Sequence, residues 1–109
     1  MKTYLLLGKT RNMDLIKTGI EESYQSNCIQ MTSFFNAVKI LYEKHIDTLV
    51  ISSKAIKEEK LDFLEFIRNA FASIKIFITF DNGLDVLQNI PEGIKIVTEK
   101  NVAEIIKAI

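Results

Sequence analysis

A three-layer α/β fold is predicted, a (βα)5 doubly wound parallel sheet of strand order 2-1-3-4-5 with helices on both faces. Three observations predict it. Apolar runs of strand length alternate with segments of helical periodicity. Such pairs recur along the whole chain of 109 residues, and a hydrophobic content of 48% suits a single core. Strands separated by helices run parallel, and right-handed crossovers leave few topologies open.

Tyr4 to Leu7 is the first strand, a continuous apolar run followed by the polar loop Gly8-Lys9-Thr10-Arg11-Asn12. Met13, Ile16, Ile20 and Tyr24 then recur at three- and four-residue spacing, which sets them on one helix face. Gly19 lies inside that helix at a cost of about 1 kcal/mol relative to alanine, a sign of close packing. Cys28 to Met31 reads as the second strand. Ser33 offers an N-cap for a helix carrying Phe34, Ala37, Val38, Leu41 and Tyr42, and His45 ends it, where a cation complements the helix dipole.

Thr48 to Ile51 is the third strand. The charged Lys57-Glu58-Glu59-Lys60 opens a longer helix with Leu61, Leu64, Ile67 and Phe71 on one face and Phe63, Phe66 and Ala70 widening the stripe. Ile74 to Phe80 is the fourth strand, and Asp81-Asn82-Gly83 signals a turn. Leu84 to Ile90 leaves room for only about two helical turns before Pro91 and Gly93, so this helical segment is short or irregular. Ile94 to Val97 is the fifth strand. Asn101 and Glu104 resemble a capping box for a last helix striped by Val102, Ile105, Ile106 and Ile109.

Fourteen basic and fourteen acidic side chains give formal neutrality, so no global field draws the chain to nucleic acid or an anionic membrane. No basic cluster interleaved with aromatics appears, which argues against direct DNA or RNA binding. The apolar runs fall short of the roughly 18 to 20 residues of a membrane span. Gly8 to Arg11 interrupts the leucine-rich start before a signal-peptide core forms. The expectation is a soluble, cytoplasmic, single domain over residues 1–109, with the lone Cys28 as a small core side chain in a reducing compartment.

Ligands on such a sheet bind at the carboxyl ends of the strands, near the switch between strands one and three. That directs attention to Gly8, Lys9 and Thr10, to Ser52 and Ser53, to Thr79 through Asn82, and to Thr98 through Lys100. Here the chain resembles the response-regulator receiver family of two-component signal transduction, whose fold is flavodoxin-like. Leu5-Leu6-Leu7-Gly8-Lys9 stands where receivers carry an apolar strand and an acidic pair. Asp47 to Ser52 stands where they carry Asp, four apolar residues and the phosphoryl-accepting Asp. Thr79 matches the family's switch hydroxyl. Glu92-Gly93-Ile94 and Lys100 echo its turn and its lysine around strand five, with Glu99 competing for the lysine position.

The departures decide the chemistry the resemblance implies. Receivers hold Mg²⁺, a hard cation wanting carboxylate oxygens, through the acidic pair and the acceptor. Gly8, Lys9 and Ser52 supply no carboxylate, so neither metal nor any other cofactor is expected. A serine without a nearby base is a weak nucleophile. The switch aromatic on strand five is replaced by Ile96 or Val97. The resemblance is to a degenerate receiver, a pseudo-receiver, with Gly8, Lys9, Ser52, Thr79 and Lys100 at the altered positions.

The other signals have ordinary readings beside functional ones. Gly8-Lys9-Thr10 looks like the end of a Walker A loop, but Thr3 stands where its first glycine belongs. An anion could be held by Lys9, Thr10, Ser52 and Thr79 with helix-terminal amides, or this could be a solvated loop. Ser52 and Ser53 also suit the plain task of ending a strand. No acidic or cysteine cluster lies near His45 in sequence to make it a metal ligand. The phenylalanine-rich third helix is core, with part of it exposed for a partner.

The leading expectation is a non-phosphorylatable receiver-like signalling and regulatory module working through protein–protein interaction, with a signalling protein or a second copy, as a homodimer, for partner. Its surface would be the 84–90 segment, strand five and the last helix. The alternative is a small-molecule or anion-binding domain at the carboxyl edge of the sheet. No enzyme activity is expected, because the rim lacks a paired base and nucleophile.

Overall fold

The computed structural model describes residues 2–22, 26–55, 61–79, 92–97 and 101–109. Thr48 to Ser52 shows no polar alternation and all five residues are buried, as a strand covered on both faces requires. This strand, β3, lies at the centre of a five-stranded parallel sheet. The strands are β1 (Lys2–Leu7), β2 (Ser26–Met31), β3 (Thr48–Ser52), β4 (Lys75–Thr79) and β5 (Lys95–Val97), in the order β2-β1-β3-β4-β5. The predicted topology is the one observed. Four helices are described, α1 (Arg11–Glu21), α2 (Phe34–Glu43), α3 (Leu61–Ala70) and α4 (Val102–Ala108).

The two-residue period of the strands divides the core. Leu5, Leu7, Leu49, Ile51, Ile76 and Ile78 pack beneath Ala37 and Leu41 of α2 and Leu64 and Ile67 of α3. Leu6, Val50, Phe77 and Val97 face the other way, against Met13, Ile16 and Ile20 of α1 and Ile105 of α4. A Cβ on Gly19 would overlap Ile106 Cδ1, so α1 and α4 make the close approach that the glycine foreshadows. Helix starts are capped by side chains: Thr10 accepts from Met13 N, Ser33 from Asn36 N and Asn101 from Ala103 N.

Several boundaries differ from expectation. β1 and β2 begin two residues early, because the pairs Lys2↔Ser26 and Thr3↔Asn27 extend the ladder past the apolar runs, through polar residues of which only Thr3 favours a strand. β3 continues to Ser52, while β4 and β5 start one residue later than predicted. α2 stops at Glu43, and Lys44 already has an extended backbone. His45 therefore lies beyond the helix, with its Nε2 3.2 Å from Asp47 Oδ1, and does not end it. Tyr42 is 65% exposed where the stripe placed it in the core, and Cys28 is only half-buried. The predicted 84–90 segment, the helix opening at 57–60, Tyr24, Phe80 and the 98–100 loop lie outside the described residues.

Candidate functional site at the carboxyl rim of the sheet

Register brings the central predicted positions together. β3 and β4 pair Ser52 with Thr79, and β1 and β3 pair Leu7 with Ile51, so Gly8 follows β1 level with Ser52. Gly8, Ser52 and Thr79 thus form one row across three strand ends. Gly8 N donates to Met31 O at 2.9 Å, which ties the row to β2 as well.

This row is closed. Gly8 has φ +133°, and a Cβ there would lie 2.8 Å from the Ser52 Cβ and 3.4 Å from the Ala55 Cβ. Ser52 is fully buried, and its hydroxyl accepts from Lys54 N at 3.2 Å while its carbonyl accepts from Ala55 N. Ser53 N donates to Thr79 O at 2.8 Å, which continues the β3–β4 ladder one rung past Ser52. The Thr79 hydroxyl is turned toward Met13 Sδ at 4.0 Å, a weak acceptor. The Ser53 hydroxyl is buried with no hydrogen-bond partner among the described residues.

A Mg²⁺ ion does not fit these residues. The positions that would carry carboxylates present a glycine with no room for a side chain, an exposed lysine and an enclosed hydroxyl. Among the described residues no cluster of three histidine, cysteine, aspartate or glutamate side chains could hold a metal. The four predicted anion ligands are not gathered into a cup. Thr10 caps α1, Ser52 and Thr79 point into the interior, and Lys9 stands exposed. Lys100 lies outside the described residues.

Two polar residues at this end escaped the sequence reading. Gln30 Nε2 donates both to Gly8 O at 3.1 Å and to Asp14 Oδ1 at 2.9 Å, clamping the loop after β1 to the first turn of α1. The available signal was an amide near the end of a strand otherwise read as apolar, followed after Gly8 by a lone acid in a helix's first turn.

At the opposite, amino-terminal end of the sheet, Asp47 accepts from Thr3 N at 2.8 Å. That bond, joined by His45, holds its carboxyl below the usual carboxylate range. Asp47 therefore pins β1 to the start of β3, 44 residues apart in sequence. An open cleft of about 420 Å³ lies at this end, with Cys28, Asn27 and Lys44 among its lining residues. Burial, and then Glu21, push the Cys28 thiol up to about 12, so it is an inert thiol at neutral pH.

No protein-family profile matches the chain, and no curated protein sequence matches it. Among solved structures, it is similar to the crystal structure of a two-component transcriptional regulator AraC from Clostridium phytofermentans ISDg. The likeness has a TM-score of 0.73 at 13% sequence identity and covers 99% of this chain and 88% of that one. At that identity the match speaks for the fold, a flavodoxin-like receiver fold, and leaves function to the chemistry of the site. No helix among the described residues is long and apolar enough to cross a membrane.

Proposed function

We propose that this chain is a receiver-like regulatory module that accepts no phosphoryl group and acts through protein–protein contacts. The observation that carries the reading is the contact of Gly8 with Ser52. A phosphorylatable rim is a concave cage of carboxylates open to Mg²⁺ and donor, whereas here the two strand ends leave no space for one Cβ. Ser52 is fully buried with its hydroxyl accepting from Lys54 N, so a serine at the acceptor position offers no exposed oxygen to a phosphoryl donor. What remains is a rigid sheet that presents helices to other proteins, within a signalling system of the two-component kind.

Amide shift titration with Mg²⁺ and beryllofluoride tests this. The expected result is no saturable change around residues 8, 9 and 52. Saturable, Mg²⁺-dependent shifts clustered there would overturn the reading. The same sample tests the anion-binding alternative, whose hydroxyl donors are turned inward or used as a helix cap. Its melting temperature is expected to be independent of phosphate at constant ionic strength.

A further inference from the structure

One edge of the sheet is left open. β2 pairs only with β1, and Gly8 N donates to Met31 O, so the alternation of a parallel ladder turns the backbone groups of Asn27, Ile29 and Met31 toward β1. The N–H and C=O groups of Ser26, Cys28 and Gln30 therefore face outward, with no partner among the described residues. The Gln30 side chain does not cover them, because its amide is held by Gly8 O and Asp14 Oδ1. Strand edges are usually protected by brevity, charge or proline. β5, at the other end of the sheet, has three residues and opens on Lys95, whereas β2 has six and carries neither charge nor proline. The open cleft of about 420 Å³ is lined by Ser26 to Ile29, with Glu21 from one face of the sheet and Lys44 from the other, and so gives access to this edge.

The helix beside the edge selects what can lie against it. Asp14 of α1 stands beside Gln30, at 2.9 Å from its amide. Beyond the effect of burial, Glu21 raises the Cys28 thiol and Lys17 lowers it, which places both beside Cys28. Arg11 lies one turn before Asp14, so charge alternates down this flank as Arg11, Asp14, Lys17 and Glu21, with Glu22 at the cap. We propose that β2 pairs antiparallel with β2 of a second copy about a twofold axis through Ile29, so that two five-stranded sheets become one. The inference names the partner of the protein-contact reading above and rests on it.

A twofold interface presents one patch to itself, so the patch must be self-complementary. In this register Cys28 lies opposite the partner's Gln30 and Gln30 opposite the partner's Cys28, each pair exchanging both of its outward backbone bonds. The same rotation sets Lys17 against the partner's Asp14 and Asp14 against the partner's Lys17, while Arg11 and Glu21 fall opposite one another farther out. An axis through Cys28 would instead turn Asp14 toward the partner's Glu21 and Lys17 toward its own copy, so charge chooses the register. On the other face α2 carries Lys39, Glu43 and Lys44, which present no wall of a single sign.

Sedimentation equilibrium of the full chain under reducing conditions decides the matter. Wild type is expected to dimerise, and Lys17→Glu or Asp14→Lys each to weaken the dimer roughly tenfold while still folding by circular dichroism. An equimolar mixture of the two variants restores opposite charges at both contacts and is expected to recover the dimer. Ile96→Ser, at an exposed position on the far edge, is expected to leave it intact. Register is read separately by oxidation in a Cys28→Ala background. Ile29→Cys places two thiols across the axis, with Cα atoms about 4.5 Å apart, and is expected to cross-link. Asn27→Cys, about 13 Å from its own copy, is expected not to. A wild type monomeric to millimolar concentration would overturn the inference and leave the metal-titration result untouched. A dimer indifferent to the charge variants, not restored by mixing, lost with Ile96→Ser, or cross-linked through position 27 and not 29 would overturn it equally.

Discussion

Gly8→Ala is the smallest change that probes the closed rim, and its cost follows from two separate terms. The first is conformational: at φ +133° a side chain is strained, by about 1–3 kcal/mol. The second is steric, since the new methyl meets the Ser52 Cβ at 2.8 Å inside a packed interior. Overpacking of that kind costs about 1–3 kcal/mol. Together they predict a loss of about 3 kcal/mol, which for a domain of this size lowers the melting temperature by about 12 °C. Urea unfolding followed by circular dichroism measures it. Ser52→Gly separates the terms, because it removes the atom that the methyl strikes and leaves the backbone strain. A double-mutant cycle should return a coupling of about 1–2 kcal/mol in the sense that Gly8→Ala is less harmful in the Ser52→Gly background. A loss under about 0.5 kcal/mol, or a cycle with no coupling, would show that the rim has room to spare and that the closed-row argument is wrong.

Gly19→Ala gains helix propensity but strikes Ile106 Cδ1, so in wild type the two effects oppose. In an Ile106→Val background, which lacks that atom, the same change should stabilise by about 0.5–1 kcal/mol, read from urea midpoints. Asp47 has a folded pKa below its ordinary 3.8, so the stability it adds is present above the unfolded value and lost as pH falls through the folded one. Asp47→Asn should therefore flatten the fall of the unfolding midpoint between about pH 5 and pH 2, and an unchanged slope would deny the Thr3 bond its role. Cys28, with its thiol near 12, should react with iodoacetamide at pH 8 at least roughly a hundredfold more slowly in the native protein than in urea, measured by mass spectrometry.

The strand order was legible because apolar runs and helical stripes are local signals, and parallel crossovers turn their alternation into a topology. The site was legible in position and not in shape. Gly8, Ser52 and Thr79 were placed at the rim by element order. That Ser52 is enclosed follows from a backbone torsion at Gly8 and from Lys54 and Ala55 folding back, neither of which leaves a mark in composition. Helix ends were less legible than helix faces. Nothing in Glu43-Lys44-His45 announces that Lys44 turns extended, and the turn frees His45 for Asp47. Tyr42 failed for a geometric reason: it lies one residue past Leu41, far enough round the helix for its ring to cover Phe71 from outside while Leu41 fills the core.

The clamp at Gly8 also bears on how such a domain can change over generations. Placing an aspartate at position 8 alone would add the strain and the collision before any metal could offset them, against a total stability of about 5–15 kcal/mol for domains in general. Placing one at position 52 alone would bury an unpaired carboxylate. Of the three positions that would carry carboxylates, exposed Lys9 alone accommodates one without such a cost, so the barrier to a carboxylate rim sits at positions 8 and 52. Packing at two positions thus holds the rim in its present form, while substitutions on the exposed helical surfaces, each typically within about 0.5 kcal/mol, accumulate without disturbing it.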